Sequence, residues 1–293
     1  MEDFTLKMIK KTICTLLCVL LIGSLFAGCS NSGKNEEADE ITSSTMLVAY
    51  TAEQAPFLYK DENGELTGFD VELFKNAFDS FKGDYKNYEF VQVPQDHKLG
   101  EDAAYTDENG KTYTAMIFIG AMQKNTGTAN EDYNWSANII ENRIITAVSA
   151  DSQIASYKDL EGAKAAVVSD TASTALNNNS SLKNSLALAE SYASAQDAFE
   201  ALKNGSVNAV IIDDFSLYAY PDYAEFKIIP GELDRIEYGF AFAKNNDYSA
   251  GFNEAVYEMK SPDYGDGDTL TPLAEKYFGN SETCVFNFKP EQK

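Results

Sequence analysis

Short apolar runs alternate along this chain with stretches in which apolar residues recur every three or four positions, the pattern of an α/β protein. Met46 to Tyr50 is an uninterrupted apolar run of strand length. Asp61-Glu62-Asn63-Gly64 places an Asn-Gly turn signal between two short strands. Asp70 is positioned to cap a helix whose Val71, Phe74, Ala77, Phe78 and Phe81 share one face. Tyr88 to Val93 alternates as a strand, and Ala115 to Ala121 is a further apolar run. Ile139 to Val148 is a long one, interrupted by charge. From Pro94 to Thr114 the periodicity lapses, and Tyr105-Thr-Asp-Glu-Asn-Gly110 repeats Tyr59-Lys-Asp-Glu-Asn-Gly64. The flanking periodicity is not repeated, so one turn chemistry is used twice and no module is duplicated.

The second half is more regular. Lys164 to Ser169 reads as a strand and Thr171 to Leu176 as the start of a helix. Ser194-x-x-Asp197 resembles a capping box ahead of Ala198, Phe199, Ala201 and Leu202, and Asn204-Gly205 stops that helix. Val207 to Ile212 is a buried strand, after which Asp213 or Asp214 opens a short helix. Glu225 to Ile229 and Ile236 to Ala243 read as strands. Phe252, Ala255, Val256 and Met259 mark one helix, and Thr269 to Phe278 another.

The N-terminus follows a different logic. Lys7, Lys10 and Lys11 precede an uncharged apolar stretch, Thr12 to Gly28, marginal in length for a spanning helix. It ends Leu25-Phe26-Ala27-Gly28-Cys29-Ser30, which resembles a bacterial lipoprotein signal with Cys29 as the lipidated residue. Residues 1–28 are then a signal peptide and 29–45 a polar, flexible tether.

Composition narrows the chemistry. The 293 residues hold 23 Lys+Arg against 46 Asp+Glu, a net charge of -23, which opposes nucleic-acid binding. One histidine, His97, and four cysteines leave little for His-rich zinc sites or multi-histidine catalysis. Cleavage before Cys29 would leave Cys284 without an intramolecular disulfide partner. Phosphate-binding loops, Gly-x-Gly-x-x-Gly, Gly-x-Ser-x-Gly and Cys-x-x-Cys are missing, so no cofactor is expected. Asp263-Tyr-Gly-Asp266-Gly-Asp268 looks like a calcium loop but fails its register, so no metal is expected either. Two strand ends stand out instead. Asp213 follows a buried strand on the side where α/β sheets bind ligands, and Thr171 holds the analogous place after Ala166-Val167-Val168-Ser169-Asp170. Each also reads as an ordinary helix cap.

In this order the segments resemble the bacterial extracellular solute-binding proteins of polar amino-acid uptake systems (family 3). The resemblance covers Met46 to Gly279. It is carried by Ala55 to Leu73 (APFLYKDENGELTGFDVEL), Ile119-Gly120-Ala121-Met122, Trp135-Ser136 and Lys158-Asp159-Leu160-Glu161-Gly162. Ala201 to Asp213 (ALKNGSVNAVIID) and Glu275-Lys276-Tyr277-Phe278-Gly279 complete it. It implies a two-lobed, type II periplasmic-binding-protein-like α/β fold with hinge-crossing strands. Lobe one would be 46–141 plus 238–293, and lobe two 142–237. It implies a monomer that is not an enzyme, held by lipid outside the cell membrane, feeding a small polar solute to an ABC permease and ATPase. The implied ligand contacts are Gln54, Phe57, Gln123, Asp170, Thr171 and Asp213, with Phe57 as an aromatic wall and Asp213 receiving a ligand ammonium. The family's carboxylate-gripping arginine has no counterpart in Gly127 to Asp132, which favours an amine or cationic solute. The rival readings are a lyase or dehydratase on the same fold, and a sensor or surface protein with a degenerate cleft.

Overall fold

The computed structural model describes residues 45–94, 105–106, 108–110, 112–113, 116–124, 133–244, 248–261 and 267–289. The signal, nearly all of the tether, Cys29, His97 and the stretch expected to hold an arginine lie outside them. Two sheets organise the rest. The first has the order β4-β1-β7-β15-β8, with β1 Thr45–Tyr50, β4 Asn87–Gln92, β7 Met116–Phe118, β8 Tyr133–Trp135 and β15 Ala241–Ala243. β4 and β7 run parallel to β1, and β15 is antiparallel to its neighbours. The second has the order β11-β10-β12-β9-β13, with β14 also on β9. Its strands are β9 Ile140–Ser149, β10 Lys164–Val168, β11 Leu188–Tyr192, β12 Ala209–Asp213, β13 Phe226–Ile228 and β14 Asp234–Tyr238.

Helix α1, Phe69–Phe81, covers the first sheet with α6, Ser249–Lys260, and α7, Leu270–Phe278. Its Val71, Phe74, Ala77, Phe78 and Phe81 are all buried, as their spacing dictates. Asp70 is not its cap, as the sequence suggested. Gly68 takes the N-cap place, and the Asp70 side chain reaches across to a neighbouring loop. Gly68 is forced there: φ is +121°, and a Cβ would lie 2.3 Å from the Phe57 carbonyl oxygen. The second sheet carries α2, Asp170–Asn178, α3, Ser180–Ser185, and α4, Ala195–Lys203. Ser194 caps α4 as its spacing predicts, accepting from Asp197 N–H at 3.1 Å and donating to the Asp197 carboxylate at 2.8 Å. α5, Asp214–Tyr218, follows β12 directly.

The repeated hexapeptide makes two hairpins of the same register. β2, Tyr59–Lys60, pairs β3, Leu66–Thr67, and β5, Tyr105–Thr106, pairs β6, Thr112–Tyr113. Tyr59 faces Thr67 as Tyr105 faces Tyr113, and Gly64 and Gly110 turn at φ +81° and +80°. The Pro94 to Thr114 stretch thus includes an ordered hairpin that the lapse in periodicity hid.

β9 and β14 each end close to the first sheet, so the chain crosses between the two sheets twice in antiparallel register. A third tie comes from the C-terminal segment, where Cys284 bridges Ile140 and Val285 N–H reaches the Ile139 carbonyl at 3.0 Å. Cys284 is half-buried beside the buried Phe286.

Candidate functional site

Parallel strands deliver their C-terminal loops to one edge of a sheet, and both sheets do this here. β1 and β7 bring the loops holding Gln54 and Gln123, and β10 and β12 bring Asp170, Thr171 and Asp213. What the side chains do there differs from one to the next.

Asp213 is the most constrained. It is buried at 5% exposure at the end of β12 and caps α5. Its Oδ1 accepts from Ser216 N–H at 3.1 Å and from Asn142 Nδ2 at 3.3 Å, and its Oδ2 from Ser216 Oγ at 2.9 Å. A carboxylate offers about four acceptor directions; three are used. The cap reading holds, and one acceptor direction is left over.

Asp214 turns the other way. It is 1% exposed, and its Oδ2 accepts from Arg143 Nε at 2.7 Å and from Arg143 N–H at 3.3 Å. Burial pushes this carboxyl up, while the guanidinium opposes the shift. The attraction of Asp214, ahead of the opposing burial, holds the Arg143 proton more tightly than usual. Tyr218 Oη and Glu282 complete the surroundings, at 3.4 Å and 3.6 Å from Arg143 Nη2. Arg143 is thus committed to its own fold.

Phe57 is packed shut rather than forming an open wall. At 2% exposure its ring meets Tyr238, Phe278 and Phe215 at centroid distances of 4.7, 5.0 and 5.8 Å. Gln54, by contrast, is exposed, and its backbone closes a tight turn on Leu58. Gln123 pairs by its backbone with Tyr238 on the crossing strand β14. Asp170 is the exposed first residue of α2, and Thr171 follows half-buried. The helix cap beside them is Ser169, which accepts from Ala172 N–H at 3.2 Å. Asp70 holds the β7 loop from below. Its Oδ2 accepts from Gly120 N–H at 2.8 Å and Ala121 N–H at 3.1 Å, fixing Ala121 at φ +57°. Burial pushes that carboxyl up to about 7 against these two bonds.

Contacts run from Gln123 to Tyr238, from Tyr238 to Phe57 and Asn142, and from Asn142 to Asp213. Tyr238, buried with its hydroxyl pushed up to about 12, is the hub of the group. Sequence reasoning missed Tyr238, Asn142 and Phe215. The signal available for Asn142 was a polar residue inside the apolar run Ile139 to Val148. Among the described residues, no group of three His, Cys, Asp or Glu side chains could hold a metal ion.

This arrangement, two α/β bodies joined by antiparallel crossing strands with ligand-type loops at the strand ends, is the type II periplasmic-binding-protein fold. A polar amino acid ABC uptake transporter substrate binding protein from Streptococcus thermophilus matches it at TM-score 0.62 and 17% identity, covering 85% of this chain and 89% of that one. The L-cystine solute receptor of Neisseria gonorrhoeae, in its unliganded open conformation, matches at TM-score 0.61 and 21% identity, covering 84% and 98%. No family model matches the chain. Kinship in sequence nevertheless runs nearly end to end. A probable amino-acid ABC transporter-binding protein of Haemophilus influenzae is 27% identical over 275 residues, 89% of this chain and 95% of its own. An ABC transporter glutamine-binding protein of Bacillus subtilis is 26% identical over 266 residues, 86% of this chain and 93% of its own. Over most of its length the chain is similar in sequence to binding proteins of amino-acid ABC uptake systems, and it shares their fold.

Proposed function

We propose that the chain is a lipid-anchored, extracytoplasmic binding protein that hands a small polar solute, an amino acid or a related amine, to an ABC permease and its ATPase. Cys29 carries the lipid in this reading, and the protein acts as a monomer. Lobe one is built from 46–141 and 238–293 and lobe two from 142–237, in keeping with which strands share a sheet. Gln54, Gln123, Asp170, Thr171 and Asp213 face the solute, with Phe57 acting from behind as packing.

The observation that carries the reading is Asp213. It is a buried carboxylate at a strand's ligand-facing end, with an acceptor direction in hand and no cation on it among the described residues. Its neighbour Asp214 is neutralised by Arg143, so the charge left over at this strand end is one negative charge. That is suited to one ammonium group.

A thermal-shift screen of the purified protein against amino acids, amines and short peptides tests this. A solute at about 100 times Kd should add about 2.7 kcal/mol, a shift of several degrees at roughly 2–4 °C per kcal/mol. Asp213→Asn should abolish most of the shift for the responding solute. A flat screen across all three classes would sink the proposal.

A further inference from the structure

Asn142 is a buried residue that touches the acid, the first turn of the helix behind it and the second crossing strand together. Its amide Nδ2 donates to Asp213 Oδ1 at 3.3 Å, and its Oδ1 accepts from Phe215 N–H at 3.3 Å. The Tyr238 hydroxyl on β14 lies near the same side chain, which counters part of the upward push that burial gives it. Asn142 lies on β9 opposite Ile236 and is 6% exposed. Its neighbour in sequence, Arg143, holds Asp214. The two consecutive residues of the crossing strand thus read the two consecutive acids at the start of α5, one amide to one carboxylate and one guanidinium to the other.

The chemistry of the amide matters. A carboxylate with a free rotamer loses entropy when it grips an ammonium, and a carboxylate already held loses less. Ser216 holds Asp213 within its own turn. Asn142 alone among its partners ties that carboxylate to the strand crossing between the sheets. An apolar residue at 142 would leave Phe215 N–H without its acceptor and leave the acid tied only to its own turn through Ser216.

We infer that Asn142 is a positioning residue for solute binding. It fixes the Asp213 carboxylate relative to the crossing strands and thereby sets the affinity for an ammonium-bearing solute. This rests on the reading of Asp213 given above, and the test separates the two.

The experiment is a double-mutant cycle on the full-length protein with Asn142→Leu, Asp213→Asn and the pair. Affinity is measured for L-glutamine, L-arginine and putrescine, by calorimetry and by NMR titration for weak variants. Asn142→Leu should weaken the responding probe at least tenfold in the wild-type background and less than twofold when Asp213 is already Asn, since residues acting through one group do not add. A merely structural role would weaken binding equally in both backgrounds, and that result overturns the inference. An Asn142→Leu protein that binds like wild type also overturns it, with the Asp213 reading intact. A wild-type protein that binds none of the three probes, or an Asp213→Asn protein that binds as well as wild type, overturns the underlying reading and this inference with it. The four ligand-free proteins are melted alongside. Additive losses in midpoint show that the two side chains are uncoupled and overturn the inference whatever the probes do.

Discussion

Arg143 Nε stands 2.7 Å from Asp214 Oδ2, and the same oxygen also takes the Arg143 backbone N–H at 3.3 Å. One residue of the crossing strand therefore binds one acid through both its side chain and its main chain. Opposite Arg143 on β14 lies a like charge, Arg235, which turns diagonally to Glu141 at 2.9 Å. Arg235 also pairs with Glu232 at 2.7 Å, so each arginine is neutralised by acids of its own.

Removing that guanidinium strands a buried carboxylate. Arg143→Met is expected to cost about 2–4 kcal/mol, at the lower side of values for broken buried pairs because a third of the arginine side chain meets water. Arg143→Met with Asp214→Asn should recover much of the loss. Urea midpoints of the two variants and the wild type check this, and equal losses in the single and double variants would contradict it.

Asp70 makes stability depend on pH. Its folded carboxyl titrates at about 7, against about 3.9 in an unfolded chain. Between those values the folded state holds the extra proton, so this contribution is full below about pH 4 and is lost as pH rises through about 7. Asp70→Asn keeps an acceptor for Gly120 and Ala121 but cannot titrate. Its stability should therefore fall less steeply across this window, by up to about 1.4 kcal/mol per pH unit. Parallel slopes for the two proteins would refute the assignment.

Gly68→Ala puts a methyl 2.3 Å from the Phe57 carbonyl oxygen at a φ of +121°. The backbone must shift, and with it the bonds from Phe69 and Asp70 N–H to Pro56 and Phe57. A loss on the order of 3 kcal/mol or more is expected, read as a drop in thermal midpoint. Gly64→Ala, where the methyl meets nothing within 4 Å, should cost far less and serves as the control.

Burial pushes the Cys284 thiol up, which starves it of thiolate at neutral pH. Labelling with a thiol-disulfide reagent should be slow in the native protein and should speed up across the urea transition in step with unfolding. Rapid labelling without denaturant would show that the C-terminal segment lifts off Ile140 on its own.

Periodicity made most elements legible before any coordinates. The buried faces of α1, α4 and α6 and the strands β1, β10 and β12 follow directly from where Val, Ile and Phe recur. The misses have physical causes. β11, Leu188–Tyr192, is an edge strand exposed along nearly its whole length, so it carries no apolar pattern to read. Helix α3 has six residues and one buried side chain. At the site, an acid at a strand end could be seen in the sequence because its neighbours are its context. Asn142 and Tyr238 could not, because each matters through partners 71 and 96 residues away. Phe57 illustrates the reverse: a conspicuous aromatic beside a turn, whose ring is spent on Tyr238 and Phe278.

The position of β15 has a consequence for the newborn chain. Ala241–Ala243 is inserted between β7 and β8, strands made more than a hundred residues earlier. Once residue 213 has been made, β9 to β12 have all their mutual partners, while β8 still waits for β15, its neighbour among the described strands. In a chain that emerges N-terminus first, much of the second sheet can therefore assemble before the first sheet receives its last strand.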